Sequence, residues 1–189
     1  MKQVYFDNAA TTQIRNEVIT SIVEVMKTNY GNASSSHSFG RSSKAVIEKS
    51  RKVIASCLNV SAGEIVFTSG GTEADNLILN SAVRDLKVKH IITTKIEHHA
   101  VLHTVNQLEK EYEIDVSYVN LDTNGEIDYL HLETCLQTER KTLVSLMHVN
   151  NEIGNLIDIK RVANLCKINN ALFHSDAVQS VGHYKMDLF

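Results

Sequence analysis

The sequence predicts an α/β protein, a mostly parallel sheet with helices on both faces. Three observations carry this expectation. From residue 65 onward, short β-branched or apolar runs alternate with amphipathic runs of helical period. The intervals between successive apolar runs suit right-handed crossovers onto a parallel sheet. Runs such as LVSLM at 143–147 are nearly continuously apolar, and a strand of that kind needs cover on each side.

Taken in order, the first elements are helical. Val18, Ile22, Val23 and Met26 mark one stripe, and Val46, Ser50, Val53, Ile54, Cys57 and Leu58 mark a longer one. Between them TNYGNASSSHSFGR, at 28–41, is rich in Gly, Ser and Asn and reads as a loop. Strands are expected at about 65–68, 90–94, 115–120, 143–148 and 171–175, and helices at about 73–86, 99–112, 128–138 and 158–168. The segment EIVFTSGGTEADNLIL thus reads as strand, tight turn and helix start, with Leu77, Ile78, Ala82, Val83 and Leu86 as the apolar members of the helix.

Composition narrows the function classes. The chain has 189 residues, 43% of them apolar and 22% charged, and a net charge of −3. That reads as a soluble globular chain. No basic stripe interleaved with aromatics suggests a nucleic-acid surface. No apolar run is long enough to cross a membrane, and MKQVYFDNAATT does not read as a secretory signal, so a cytoplasmic location is expected. Cys57, Cys135 and Cys166 are widely separated, odd in number and set in helical patterns, and are expected to be buried small hydrophobes. Proline is absent, a feature without an evident physical reason.

In an open parallel sheet the ligand lies beyond the C-terminal ends of the strands. Four polar clusters fall there: Ser69-Gly70-Gly71-Thr72, Glu97-His98-His99, Asn150-Asn151-Glu152, and Asp176 with Gln179. The first offers small residues, hydroxyls and backbone amides at a helix N-terminus, suited to an anion, although it could also simply cap the helix. It is neither GxxxxGK[ST] nor GxGxxG, and a single phosphate monoester fits it best. His98 or His99 could stack on an aromatic ring and exchange protons. HExxH spacing is missing, and no metal is expected. Asp176 follows an apolar strand and needs a partner if enclosed. It could cap a helix, or pair with a protonated ring nitrogen as in pyridoxal phosphate chemistry, with Gln179 on the same side and able to reach a ring oxygen.

YFDNAATT at 5–12, GNASSSHSFGR at 31–41, FTSGGTEADN at 67–76, EHHAVL at 97–102, MHVNNEIG at 147–154 and HSDAVQSVG at 174–182 together resemble, in order and across essentially the whole chain, the N-terminal portion of a cysteine desulfurase. The branch is that of the nitrogen-fixation and iron–sulfur-assembly enzymes, within the class V aminotransferase-like pyridoxal phosphate enzymes. The resemblance implies the pyridoxal-phosphate-dependent transferase fold. Residues 1–15 would form an arm near the active site, and 16–189 an incomplete large cofactor-binding domain.

It also implies roles. Gly71 and Thr72 would bind the cofactor phosphate, and His98, the catalytic residue, would stack on the pyridine ring. Asn151 would contact the substrate or ring-oxygen side, Asp176 the pyridine nitrogen, and Gln179 the phenolic oxygen. The implied reaction converts L-cysteine to L-alanine and leaves an enzyme-bound persulfide, in a homodimer that hands sulfur to an acceptor or scaffold protein.

Two departures from the family pattern matter. Gln13 and Ala33 stand where the family commonly has proline, which raises the cost of ordering those loops by about 1 kcal/mol each. The sequence also reaches Phe189 before the lysine that the family bonds to its cofactor, the persulfide-forming cysteine, the substrate-binding arginine and the small domain; Lys185 lies in the wrong motif to replace that lysine. In the family sheet the strand at 65–68 is an edge whose neighbours come after residue 189. The isolated chain is therefore expected to be inactive, with that strand unpaired, unless a second chain carries the missing half. The alternatives are a fragment or split subunit that at most binds pyridoxal phosphate, and a related lyase or aminotransferase of the same fold.

Overall fold

The computed structural model describes residues 3–188. Two helices come first, α1 (Asn16–Thr28) and α2 (Ser38–Leu58). They are followed by α3 (Gly71–Arg84), β1 (His90–Thr93), α4 (His99–Tyr112), β2 (Asp115–Tyr118), α5 (Tyr129–Leu136), β3 (Thr142–Ser145), α6 (Ile159–Ile168) and β4 (Leu172–His174). The described chain divides into two units, residues 68–184 and residues 3–67 with 185–188.

Residues 68–184 form the α/β unit. Its sheet has the order β2-β1-β3-β4 and all three pairings are parallel. Ile91 is opposite both Val116 and Leu143, and Val144 is opposite both Ile92 and Phe173. Because side chains alternate along a strand, neighbouring positions serve two cores. Ile91 and Leu143 pack with Leu79, Ala82 and Val83 of α3 and with Val101, Val105 and Leu108 of α4. Ile92 and Val144 pack with Leu132 and Leu136 of α5 and with Val162 and Cys166 of α6. The expected α/β fold with helices on both faces is thus present, and it explains why β1 and β3 are buried at every position. Each fully enclosed leucine or isoleucine contributes roughly 1.5–3 kcal/mol.

Helix starts follow from capping chemistry. Asp128 accepts from Leu130 N–H (3.0 Å) and His131 N–H (3.1 Å) at α5, and Asp158 accepts from Arg161 N–H (3.0 Å) at α6. His98 Nδ1 accepts from Ala100 N–H (3.2 Å) at α4.

In the other unit α1 buries none of its residues. The loop before α2 is shorter than expected. His37 caps the helix by accepting from Gly40 N–H (3.3 Å), so Ser38 to Arg41 are already helical. Gly40 is required there, because a Cβ would meet Asn32 O at 2.6 Å. Near the end of the described chain Leu188 N–H donates to Leu58 O (3.1 Å) and Asn59 Nδ2 to Asp187 (2.9 Å).

Three further sequence expectations need correction. Residues 65–68 form no strand, although the expectation that they would be unpaired in this chain holds. Among the described residues they have no ladder partner, and Ile65 O accepts instead from the Arg51 guanidinium, which also stands 4.8 Å over the Phe67 ring. β-Branched composition gives extended backbone, but only a paired neighbour makes it a strand. The buried stripe of α3 is Asp75, Leu79, Ala82 and Val83, whereas Leu77, Ile78 and Leu86 are exposed. A buried aspartate at the head of the stripe shifts the inward face away from the one the apolar residues suggest. Of the cysteines only Cys166 is buried; Cys135 is half-buried and Cys57 exposed.

The α3 register predicts an asymmetric outcome. Leu79→Ala should destabilise the chain by about 3 kcal/mol, and Leu77→Ala by about 0.5 kcal/mol or less. Urea unfolding of the two variants measures this, and equal losses would contradict the observed face.

Candidate functional site

The sheet order sets where a ligand can lie. The chain leaves β1 for β2 on one side and then returns past β1 to β3 on the other, so the crevice between the carboxyl ends of β1 and β3 is the topological switch point. The segments after β1, β3 and β4 end there. The pairing of β3 with β4 continues past both strands, with Leu146 N–H donating to His174 O (3.1 Å) and His148 N–H to Asp176 O (2.9 Å).

The Ser69–Thr72 turn opens α3. Thr68 Oγ donates to Gly70 O (3.1 Å), and Glu73 reaches back to accept from Ser69 N–H (2.6 Å). Those bonds, to the Ser69 side chain and then its backbone, hold the Glu73 carboxyl below its ordinary range. The first amide to bond one turn back is Ala74 N–H, to Gly70 O (3.1 Å). The amides of Gly71, Thr72 and Glu73 therefore precede the helical ladder. Space around Gly70 is open, while a Cβ on Gly71 would meet Val178 Cγ2 at 2.6 Å. The turn thus lies directly against the chain that follows Asp176.

Asp176 is buried and accepts from Val178 N–H (2.9 Å). Burial pushes its carboxyl up; the Val178 amide pulls it down, Asp75 pushes it up again, and His98 and His174 offset part of that. These influences bring Asp176, His98, Asp75 and His174 into one electrostatic neighbourhood. Gln179 follows in the turn at 178–180 and is half-buried. His98 is half-buried, with its ring 3.9 Å from that of His99. Asn151 stands in the turn after β3, with its amide donating to Glu152 (2.7 Å). Gly71, His98, Asp176 and Gln179 therefore share one end of the unit, while the side chain of Asn151 is directed to its own neighbour. Among the described residues no group of three His, Cys, Asp or Glu side chains is placed to hold a metal.

Side chains that the sequence left without a role hold this edge together. Glu97 is buried; its Oε1 accepts from Thr94 Oγ (3.0 Å) and from Met147 N–H (3.0 Å), bridging the ends of β1 and β3. Asn150 adds a second bridge, donating to Ile96 O (2.7 Å) while its own carbonyl oxygen accepts from Glu152 N–H and Ile153 N–H (2.8 and 3.0 Å). Asp75 on α3 is buried, with His174 Nε2 at 3.4 Å and the other His174 ring nitrogen 2.9 Å from Ser145 Oγ. The spacing His174-x-Asp176, which puts both side chains on one face of an extended chain, was the available signal.

Comparison with known proteins bears on this arrangement. Residues 4–189 match the model of the family described as Aminotransferase class-V, and the chain belongs to that family. Within it, the chain is similar to the cysteine desulfurase IscS of Clostridium botulinum, 43% identical over 189 residues, a match covering 99% of this chain and 47% of that protein. Among solved structures, a NifS-like protein superposes with a TM-score of 0.93 at 38% identity, covering 99% of this chain and 52% of the other. SspA in complex with cysteine superposes at 0.89 and 33%, covering 97% and 53%. The chain spans about half the length of the relatives it matches.

Glu97 has a consequence for stability. Burial raises its pKa from the ordinary 4.5 to about 7, against the lowering bonds from Met147 and Thr94. Between these values the folded chain holds a proton that the unfolded chain releases. The contribution is fully present below about pH 4.5 and is lost as pH rises to about 7, a swing on the order of 3 kcal/mol. Urea unfolding across this window should show Glu97→Gln losing that part of the pH dependence. An unchanged slope in the variant would contradict the assignment.

Proposed function

We propose that the chain supplies the cofactor-binding part of a pyridoxal-phosphate-dependent cysteine desulfurase, acting on L-cysteine to give L-alanine and a persulfide. The observation that carries this reading is the close approach of the Gly71 turn to the segment after Asp176. It puts a helix N-terminus with orphan amides beside a buried carboxylate, the two ends that a phosphorylated pyridine needs. The residues present fit that cofactor.

In this reading the Gly71 and Thr72 amides, with the Thr72 hydroxyl, hold the phosphate, and the α3 dipole favours its charge. Asp176 accepts from the pyridine N–H, a charge-assisted bond that also relieves an otherwise unbalanced buried anion. Gln179 donates its side-chain amide to the ring oxygen, and Asn151 serves the substrate or ring-oxygen side. His98 would stack on the pyridine ring. Its Nδ1 is occupied by Ala100 N–H, so Nε2 is the atom from which it holds or passes a proton. The cofactor itself supplies the electron sink that makes loss of the substrate α-proton feasible.

None of the three cysteines suits the persulfide step. Burial pushes the Cys166 thiol up to about 12 and the Cys135 thiol upward, which disfavours the thiolate nucleophile, and the resemblance aligns Cys57, on α2, with no nucleophile. The lysine that the resemblance requires is likewise not among these 189 residues. We therefore assign cofactor binding to this chain alone and turnover to a form completed by further residues or a second chain. The resemblance extends the reading to a cytoplasmic homodimer that delivers sulfur to an acceptor or scaffold protein.

The test is a titration of the 189-residue chain. Pyridoxal phosphate should bind at least about tenfold more tightly than inorganic phosphate, and Asp176→Asn should remove about tenfold of that affinity. Borohydride should trap no covalent adduct, and L-cysteine should yield no alanine. Equal affinity for the two ligands would sink the cofactor assignment; a trapped adduct or alanine formation would sink the division of labour.

A further inference from the structure

Asp75 and His174 meet inside the α/β unit, and each is a short step from one end of the cofactor site. Asp75 lies three residues beyond Thr72, about one turn along α3, and is 4% exposed. His174 ends β4, two residues before Asp176, so the two share a face of an extended chain. His174 Nε2 lies 3.4 Å from Asp75 Oδ1, with side-chain exposures of 12% and 6%. Its Nδ1 is 2.9 Å from Ser145 Oγ, on the strand that pairs with β4. With Nδ1 engaged by the serine hydroxyl, the Nε2–H edge is the one turned to the carboxylate.

We propose that Asp75 and His174, backed by Ser145, are positioning residues that fix the separation between the phosphate-binding turn and Asp176. The inference rests on the cofactor reading above and names the strut that makes that site fit one ligand length. Three features support it. The contact links α3 to β4, the two elements that carry the opposite ends of the site. It is buried, so its loss is not made good by solvent. The close approach of Gly71 to Val178, where a Cβ on Gly71 would meet Val178 Cγ2 at 2.6 Å, sets a minimum distance and does not prevent separation.

A ligand that engages both ends gains affinity because the second contact is intramolecular, and that gain depends on the separation being held. A fragment that engages one end does not depend on it. Pyridoxal phosphate, pyridoxal and inorganic phosphate therefore distinguish a strut from general support of the fold.

Each of the three should be titrated against the full chain and against Asp75→Asn, His174→Gln and Ser145→Ala, with circular dichroism identifying the folded variants. Pyridoxal phosphate affinity should fall about tenfold in the first two variants and less in Ser145→Ala, while pyridoxal and inorganic phosphate each change by less than about twofold. A parallel loss for all three ligands overturns the strut. If the unaltered chain fails to prefer pyridoxal phosphate over inorganic phosphate, the cofactor reading itself fails and the inference with it. Nitrogen NMR of the ligand-free chain gives a second check that does not need folded variants. His174 should carry its proton on Nε2, and a proton resident on Nδ1 would overturn the proposal.

Discussion

The backbone pairing that continues beyond β3 and β4 is the constraint on which the site depends. Leu146 to His174 and His148 to Asp176 carry the parallel register past the last strand residues, so the direction in which Asp176 leaves the sheet is set by backbone hydrogen bonds and not by loop preference. A parallel sheet covered on both faces leaves its chain ends as the place where polar side chains can collect without disrupting a core. Glu97 and Asn150 then fasten the neighbouring gap between β1 and β3, using a carboxyl and an amide where the backbones diverge. The helix start at His98 is held in place because the preceding residue is held.

Collecting polar groups at that edge has an electrostatic cost. Asp75, Glu97 and Asp176 are all buried, and Asp75 and Asp176 push Glu97 upward just as Asp75 pushes Asp176. Three carboxylates so placed cannot all be charged cheaply in a low-dielectric setting. The structure answers in three ways: Glu97 retains its proton toward neutrality, Asp75 faces an imidazole, and Asp176 sits near two histidines. Glu97 bonds through Oε1 to Thr94 and Met147 while its Oε2 has no hydrogen-bond partner among the described residues, Asp75 meets His174, and Asp176 accepts from Val178 N–H. In the proposed cofactor reading, Asp176 is the carboxyl that a cationic ring nitrogen would balance.

Much of this was legible in the sequence because hydrophobic period and helix capping act locally. The four helices and four strands of the α/β unit lie within a few residues of their expected positions, with Asp128 and Asp158 marking helix starts that they cap. The run at 65–68 is β-branched, but pairing is not local: it has no ladder partner among the described residues, as expected of that strand in this chain, and without one it is not a strand. The face of α3 failed for a different reason. A charged residue at a helical position reads as surface, so Asp75 was not among the expected inward residues, and its meeting with His174, almost 100 residues later in the sequence, lies beyond any local pattern. The candidate site residues were grouped from their expected positions after strands, whereas the groups that brace them are satisfied by distant partners, and the His174-x-Asp176 spacing was their one local signal.

The Glu73 side chain braces the turn that opens α3. Its carboxylate accepts from Ser69 N–H just outside the helix, an arrangement that satisfies one donor at the start of the turn and adds negative charge where the helix dipole favours it. The carboxylate is bonded to a residue before Gly70, and the amides of Gly71, Thr72 and Glu73 come ahead of the first helical bond at Ala74. Glu73 therefore ties Ser69 to the first turn of α3. In the proposed reading, an anion at those amides would meet a turn already held and would feel some repulsion from the nearby carboxylate, which favours a ligand whose second end is held elsewhere.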